Sequence, residues 1–196
     1  MGRSSVFSLE QVYRRQLTKN WTDIFDPFIY VKSINPASSA GPAFGYFAGG
    51  RPQPMSKVQR VDYANDTATA SPRGNMAVDI NRGGGQGNMT QGYTFGGESP
   101  SSRVSSVYKV DYANDTATAG AKGPLSSAGN YCASIGNSNY GYTGGRYDGT
   151  PYPNLYSSLD RLDYANDTSA ATAISAGMTP GGYNIMTVGN QSYGYF

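Results

Sequence analysis

Histidine is missing from this chain altogether, and there is a single cysteine, Cys132. Without histidine there is no Ser-His-Asp or Cys-His pair, and no imidazole to ligate zinc or copper. One cysteine excludes an intrachain disulfide, and its expected role is that of a small buried apolar residue. Charge is scarce as well: 14% of residues are charged and the net charge is +2, too little to imply attraction to nucleic acid or a membrane surface. No run of 18 apolar residues occurs, so no bilayer-spanning helix is expected. The first residues lack the apolar stretch of a secretory signal. No enzymatic activity, cofactor, metal, nucleic-acid partner or membrane insertion is expected. Hydrophobic residues make up only 38%, below the usual share, so a large aliphatic core is not available and stability should depend on assembly.

Glycine and tyrosine are abundant instead, at 26 and 17 residues, with 7 Phe. Burial must then rely on aromatic faces. The hexad Asp-Tyr-Ala-Asn-Asp-Thr occurs at 62–67, 111–116 and 163–168, spaced by 49 and 52 residues. A second mark recurs in phase: Gly45-Tyr46-Phe47-Ala48-Gly49-Gly50, Gly92-Tyr93-Thr94-Phe95-Gly96-Gly97 and Gly141-Tyr142-Thr143-Gly144-Gly145, with a fourth copy begun at Gly194-Tyr195-Phe196. Recurrence at such a period signals a repeat architecture. The expected organisation is a segment over residues 1–40 followed by a three-repeat β domain over 41–196, with repeats at about 45–91, 92–140 and 141–193.

Residues 1–40 lie outside the repeat. Residues 8–17 fit a short helix, with Ser8 as cap, Gln11 at the capping-box position, and Leu9, Val12, Tyr13 and Leu17 on one face. Trp21, Phe25, Phe28 and Tyr30 follow, Asp26-Pro27 breaks any helix, and 33–42 reads as a linker. The segment either caps the first repeat or docks into another protein. For docking, the candidates are Tyr13, Arg14, Arg15, Trp21, Phe25 and Phe28.

The residues ahead of each pentad alternate with period two, the mark of a half-buried strand. Gln59, Val61 and Tyr63 oppose Arg60 and Asp62. Tyr108, Val110 and Tyr112 oppose Lys109 and Asp111, and Asp160, Leu162 and Tyr164 oppose Arg161 and Asp163. Each polar face carries a cation and a carboxylate two residues apart, able to pair across strands if copies lie side by side. Ala-Asn-Asp then turns the chain, since Asn and Asp bond their own backbone. Thr-Ala-Thr-Ala at 67–70 and 116–119 reads as a short returning strand, while 168–173 carries extra residues and should differ. The Gly-Tyr element is a further strand whose Gly-Gly end requires positive φ. Each repeat is thus a meander of three or four strands, too small to be stable alone.

These residues carry two resemblances. An apolar strand ending in Gly-Gly (Phe47 to Gly50), followed by one ending in an Asp-containing turn (Val58 to Asp66), resembles kelch repeats, which form four-stranded β-propeller blades. The Trp after that turn is replaced by Thr-Ala-Thr, and three repeats fall short of the usual four to eight blades. The resemblance implies an all-β fold of three kelch-like meanders, a partial propeller or a β structure completed by oligomerisation. The second covers nearly the whole chain. Tandem blocks of Gly-Tyr-Phe-x-Gly-Gly, Val-Asp-Tyr-x-Asn-Asp-Thr-Ala-Thr-Ala and Gly136-Asn137-Ser138-Asn139-Tyr140-Gly141-Tyr142 are similar to those of structural proteins of tailed bacteriophages, notably cyanophages. That resemblance implies a virion component of the tail, neck or fibre apparatus, assembled in the host cytoplasm, anchored by residues 1–40 to other virion proteins and forming a homo-oligomer.

The repeated Asp62, Asn65, Asp66; Asp111, Asn114, Asp115; and Asp163, Asn166, Asp167 supply oxygen atoms that suit Ca²⁺, but the Gly and distal Glu of an EF-hand are absent and Asx turns account for them. Residues 82–87, Arg-Gly-Gly-Gly-Gln-Gly, lack the Lys-Ser/Thr ending of a phosphate loop and read as a flexible connection. Tyr140, Tyr142, Tyr147, Tyr152 and Tyr156 either stack on the sugar rings of a host surface glycan, as in a carbohydrate-binding adhesin, or fill a core or subunit interface.

Overall fold

A computed structural model describes residues 44–50, 55–148, 156–174, 177–178 and 181–196. The described chain is all-β, and each alternating segment forms an antiparallel meander. The first sheet is β1 (Phe44–Ala48), β2 (Val58–Asp62) and β3 (Ser71–Pro72), in that order. The second is β4 (Gly84–Gly87), β5 (Gln91–Glu98), β6 (Arg103–Asp111) and β7 (Gly120–Lys122), again in chain order. The third, β8 (Ala133–Gly136), β9 (Tyr140–Gly144), β10 (Leu159–Asp163) and β11 (Thr172–Ile174), repeats that order. A two-stranded hairpin, β12 (Val188–Gly189) and β13 (Gly194–Tyr195), follows. None of these sheets closes on itself.

Register is the same in every copy. Tyr46 pairs with Arg60, Tyr93 with Lys109 and Tyr142 with Arg161. Arg60 pairs with Ser71, Lys109 with Gly120 and Arg161 with Thr172. The third copy therefore has no insertion after its pentad, contrary to the expectation for 168–173.

Thr-Ala-Thr-Ala is not a strand. The turn begun at the pentad continues into it: the Ala68, Ala117 and Ser169 amides donate to the carbonyls of Asn65, Asn114 and Asn166. The returning strands start only at Ser71, Gly120 and Thr172. The Gly-Gly ends behave as expected, with positive φ at Gly49, Gly50, Gly96, Gly97 and Gly145.

The glycine run at 82–87 is also not a loose connection, because Gly84–Gly87 is β4. A Cβ on Gly84 would stand 2.0 Å from Ser134 Oγ on β8. Glycine is needed there because the first strands of successive sheets approach too closely for a side chain.

The sheets pack face to face. Val58 of the first sheet clusters with Tyr108 and Val110 of the second, together with Met76, Ile80 and Ala119. Tyr93, Phe95 and Val107 of the second cluster with Leu162, Tyr164 and Ala171 of the third, with Leu125 from the connection. Strand β6 is consequently buried on both faces rather than half-buried, because it has a layer on each side. Aromatic rings (Tyr93, Phe95 and Tyr164) supply much of the cluster between the second and third sheets, whereas the buried residues between the first and second are mainly aliphatic, with Tyr46 and Tyr112 packed against them.

Candidate functional site

The site is a contact between sheets that the chain builds twice. It begins with the first Asp of each pentad. Asp62 Oδ1 accepts the Ala64 amide at 2.9 Å, Asp111 Oδ1 that of Ala113 at 3.0 Å, and Asp163 Oδ1 that of Ala165 at 2.9 Å. These are Asx turns. In the second and third copies they cap single 3-10 turns, Tyr112–Asn114 and Tyr164–Asn166, with nearly identical cap backbones (φ −84°, ψ 115° and φ −86°, ψ 115°).

Such a turn aims its Tyr and its last Asp at the preceding sheet. Tyr112 stacks on Tyr46 at 4.6 Å between ring centres, and Tyr164 on Tyr93 at 4.7 Å. Asp115 Oδ2 accepts the Tyr46 hydroxyl at 2.9 Å and Arg60 Nη1 at 2.8 Å, and pairs with Arg73 Nε at 3.0 Å. In the next copy Asp167 accepts the Tyr93 hydroxyl at 2.9 Å and pairs with Lys109 and Lys122, each at 3.0 Å. The main chain repeats the contact: the Gly74 amide donates to the Asp115 carbonyl and the Gly123 amide to that of Asp167, both at 2.9 Å. A Cβ on Gly74 or Gly123 would lie 1.8 Å from the Ala117 or Ser169 carbonyl oxygen, so both positions require glycine.

The expected pairing of each cation with a carboxylate of like position is therefore corrected. The cation at Arg60 or Lys109 bonds the last Asp of the following pentad, not the first, because copies stack face to face instead of lying side by side. The local Asx turn already occupies the first Asp.

Titration follows the geometry. Burial alone would raise the Asp167 carboxyl, but the hydrogen bonds from Lys109, Lys122 and Tyr93 outweigh it and hold the group below the usual carboxylate range. Burial, reinforced by the bond to the neighbouring Asp, raises the Tyr46 and Tyr93 hydroxyls. Burial also pushes Tyr112 up to about 12 and raises Tyr164.

A second rung joins the hairpin tips. Asn88, Asn137 and Asn190 each accept two backbone amides of their own tight turn, at 2.8–3.1 Å. Asn88 Nδ2 donates to the Ser138 carbonyl at 3.2 Å, and Asn137 Nδ2 to that of Gln191 at 3.5 Å. The third sheet carries a further buried ion pair without a repeat. Arg146 and Asp160, both fully buried, pair at 2.8 Å, and Asp160 also accepts the Ser126 amide and hydroxyl at 2.9 and 2.6 Å.

The residues singled out in the sequence divide accordingly. Asp62, Asp111 and Asp163 close turns, as do the carbonyls of Asn65, Asn114 and Asn166. Asp115 and Asp167 clamp sheets together, while Asp66 is exposed. Among the described residues no group of three or more acidic or thiol side chains is placed to hold a metal ion. Tyr140 lies under the Arg161 guanidinium at 4.9 Å and beside Tyr142. Tyr147 packs with Arg103 and Tyr183, and the Tyr156 hydroxyl donates to Asp148 at 3.2 Å. Tyr152 lies outside the described residues, as do Tyr13, Arg14, Arg15, Trp21, Phe25 and Phe28. Cys132 is half-buried, its thiol contacts the Gly129 carbonyl, and burial pushes it up to about 11, which keeps it a thiol at neutral pH.

Tyr46, Tyr93, Arg60, Lys109, Arg73 and Lys122 belong to this contact without standing out in the sequence as its members. A signal was available: Arg73-Gly74 and Lys122-Gly123 stand at one spacing from the pentads before them. Among the described residues no helix is long and apolar enough to cross a membrane. No family model matches the chain, and no curated protein matches it.

Proposed function

We propose that this chain is a non-enzymatic structural protein of a tailed-phage virion, in the tail, neck or fibre apparatus. Residues 1–40 anchor it to other virion proteins, and the body is a stack of kelch-like meanders, either part of a propeller or completed by further copies. The observation that carries this reading is the clamp itself. One geometry is built twice with different cations, Arg60 and Arg73 on Asp115, then Lys109 and Lys122 on Asp167. A contact that tolerates this exchange serves to join modules, and repetition lets weak contacts add. A catalytic carboxylate needs an open position for substrate, whereas these two are filled by structural partners. Placement on a virion rests on the resemblance of the tandem blocks to phage structural proteins. The test is an antibody raised against the recombinant protein, used on density-purified phage particles and on the particle-free lysate. Signal in the particles at stoichiometric yield is expected, and signal confined to the particle-free fraction refutes the placement.

A carbohydrate-binding adhesin is the second reading, favoured by one pocket. It has a volume of about 190 Å³, and Tyr142, Tyr193 and Phe196 line it together with Asn137, Asn190 and Gln191. Aromatic faces beside amide groups suit a sugar ring. On that reading, Tyr142→Ala and Tyr193→Ala abolish host attachment and leave particles intact; unchanged attachment refutes it.

A further inference from the structure

The clamp has two halves, and one of each is unused within the described chain. The projecting half of the first sheet is uncovered. Tyr63 is 56% exposed, whereas Tyr164 at the same position is 8% exposed. Asp66 is exposed where Asp115 and Asp167 are buried, and Val61 is half-buried where Val110 and Leu162 are buried.

The receiving half of the third sheet is only partly covered: the β12–β13 hairpin lies beside Tyr142 and Leu159, and among the described residues no pentad turn sits over Arg161. Tyr142, Leu159 and Arg161 occupy the register positions of Tyr46, Val58 and Arg60, and of Tyr93, Val107 and Lys109. Arg161 lies over the Tyr140 ring at 4.9 Å. Arg60 lies over Phe44, the equivalent residue, at 4.0 Å while it bonds Asp115. Arg161 is thus already posed as a clamp cation. Among the described residues it has no carboxylate at ion-pair distance, and Asp66 has no cation.

We propose that a second copy of this chain docks its first-sheet pentad on the third sheet, Asp66 on Arg161 and Tyr63 on Tyr142. Copies then stack head to tail through the contact that already joins sheets inside the chain. The inference rests on reading the repeats as an assembly scaffold. Charge complementarity and continuity with the two internal contacts select a second copy as the occupant. The interface is weaker than the internal ones, because Ile174 stands where Arg73 and Lys122 supply the second cation. One strand must yield. Gly194 and Tyr195 of β13 pair with β12 as Gly141 and Tyr142 of β9 pair with β8. By that register β13 holds the place of the incoming β1, which carries the equivalent Gly45 and Tyr46. β13 is two residues long with Tyr195 exposed, so five-residue β1 displaces it readily. Such a heterologous contact forms a ring if its rotation closes and a filament if it does not.

Sedimentation velocity over a concentration series tests this with the full chain. The mass is expected to rise from 20.8 kDa to multiples of it. Asp66→Arg and Arg161→Asp are each expected to lower the association constant at least about tenfold, since like charges across an interface are strongly unfavourable. Their melting temperatures at dilute concentration should match the parent. Mixing the two variants restores association, because each then offers the half the other lacks. Removing residues 193–196 should leave association equal or tighter. A chain that stays monomeric up to millimolar concentration overturns the proposal, as do variants that associate like the parent, a mixture that does not recover, or weaker association after the deletion. Copies that stack but are absent from particles refute only the virion placement. Protein that is present in particles yet indifferent to these substitutions refutes only the stacking.

Discussion

Three aspartates with the same neighbours in sequence, Asp66, Asp115 and Asp167, should respond very differently to truncation. Asp167→Ala strands two ammonium groups and a hydroxyl. Breaking a fully buried ion pair costs about 3–5 kcal/mol. Here the Lys109 and Lys122 side chains retain 23% and 16% exposure and can swing toward water, and the Tyr93 hydroxyl can turn its one proton to Gln91 Oε1, 2.7 Å away. Both reduce the loss, to about 2–3 kcal/mol. Asp115→Ala should cost a similar amount, since Arg60 and Arg73 are exposed to a comparable degree. Asp66→Ala touches no such partner and should stay within about 0.5 kcal/mol. For a domain of this size the larger losses correspond to a fall in Tm of roughly 4–12 °C. The assay is urea unfolding with a parallel thermal melt, at a concentration where the parent is monomeric. Three variants that unfold alike, or an Asp167→Ala loss under about 0.5 kcal/mol, the noise of a surface substitution, would refute the clamp.

Glycine substitutions should split in the same manner. Gly97→Ala forces a Cβ to 2.6 Å from the Asn81 carbonyl oxygen at φ +111° and should destabilise by roughly 1–3 kcal/mol, whereas Gly120→Ala meets nothing within 4 Å and should be neutral or stabilise by up to about 1 kcal/mol in chemical denaturation. Arg146→Met leaves Asp160 buried without its cation and should cost about 3–5 kcal/mol by the same assay. Alkaline pH should unfold the protein. Cys132 and Tyr112 are raised to about 11 and about 12, so their contribution is whole below the unfolded values of about 8.5 and 10 and is lost as pH climbs through the folded ones. Cys132→Ala should remove the lower-pH part of that decline in a urea-midpoint series. The lowered Asp167 acts in the opposite sense, its contribution whole above the unfolded carboxyl value of about 3.9 and lost as pH falls below it. Asp167→Asn should flatten the acid limb.

Local chemistry was legible from the chain itself. The three in-phase repeats, the alternating strands, the Asx turn at each pentad and the positive φ of the Gly-Gly ends all depend on residues within a few positions of one another. Backbone sterics and short hydrogen bonds decide such features. The glycine run at 82–87 reads as a connection in the sequence because its role is set at a distance, by the approach of β8 to Gly84. Thr-Ala-Thr-Ala reads as a strand in the sequence because small residues suit both a strand and the extended turn that the Asn carbonyls impose.

The division of labour between identical motifs is set by how the sheets pack. Each pentad holds two carboxylates beside a Tyr and a cation, and nothing in the pentad distinguishes copy from copy. Face-to-face stacking assigns the first Asp to its own turn and the last Asp to the sheet before it, and among the described residues it leaves Asp66 and Arg161 without an ion-pair partner across a sheet contact. The physical reason is that a charge is worth little in water and much more when desolvated beside its partner, and desolvation is a property of the neighbouring layer rather than of the repeat that carries the charge.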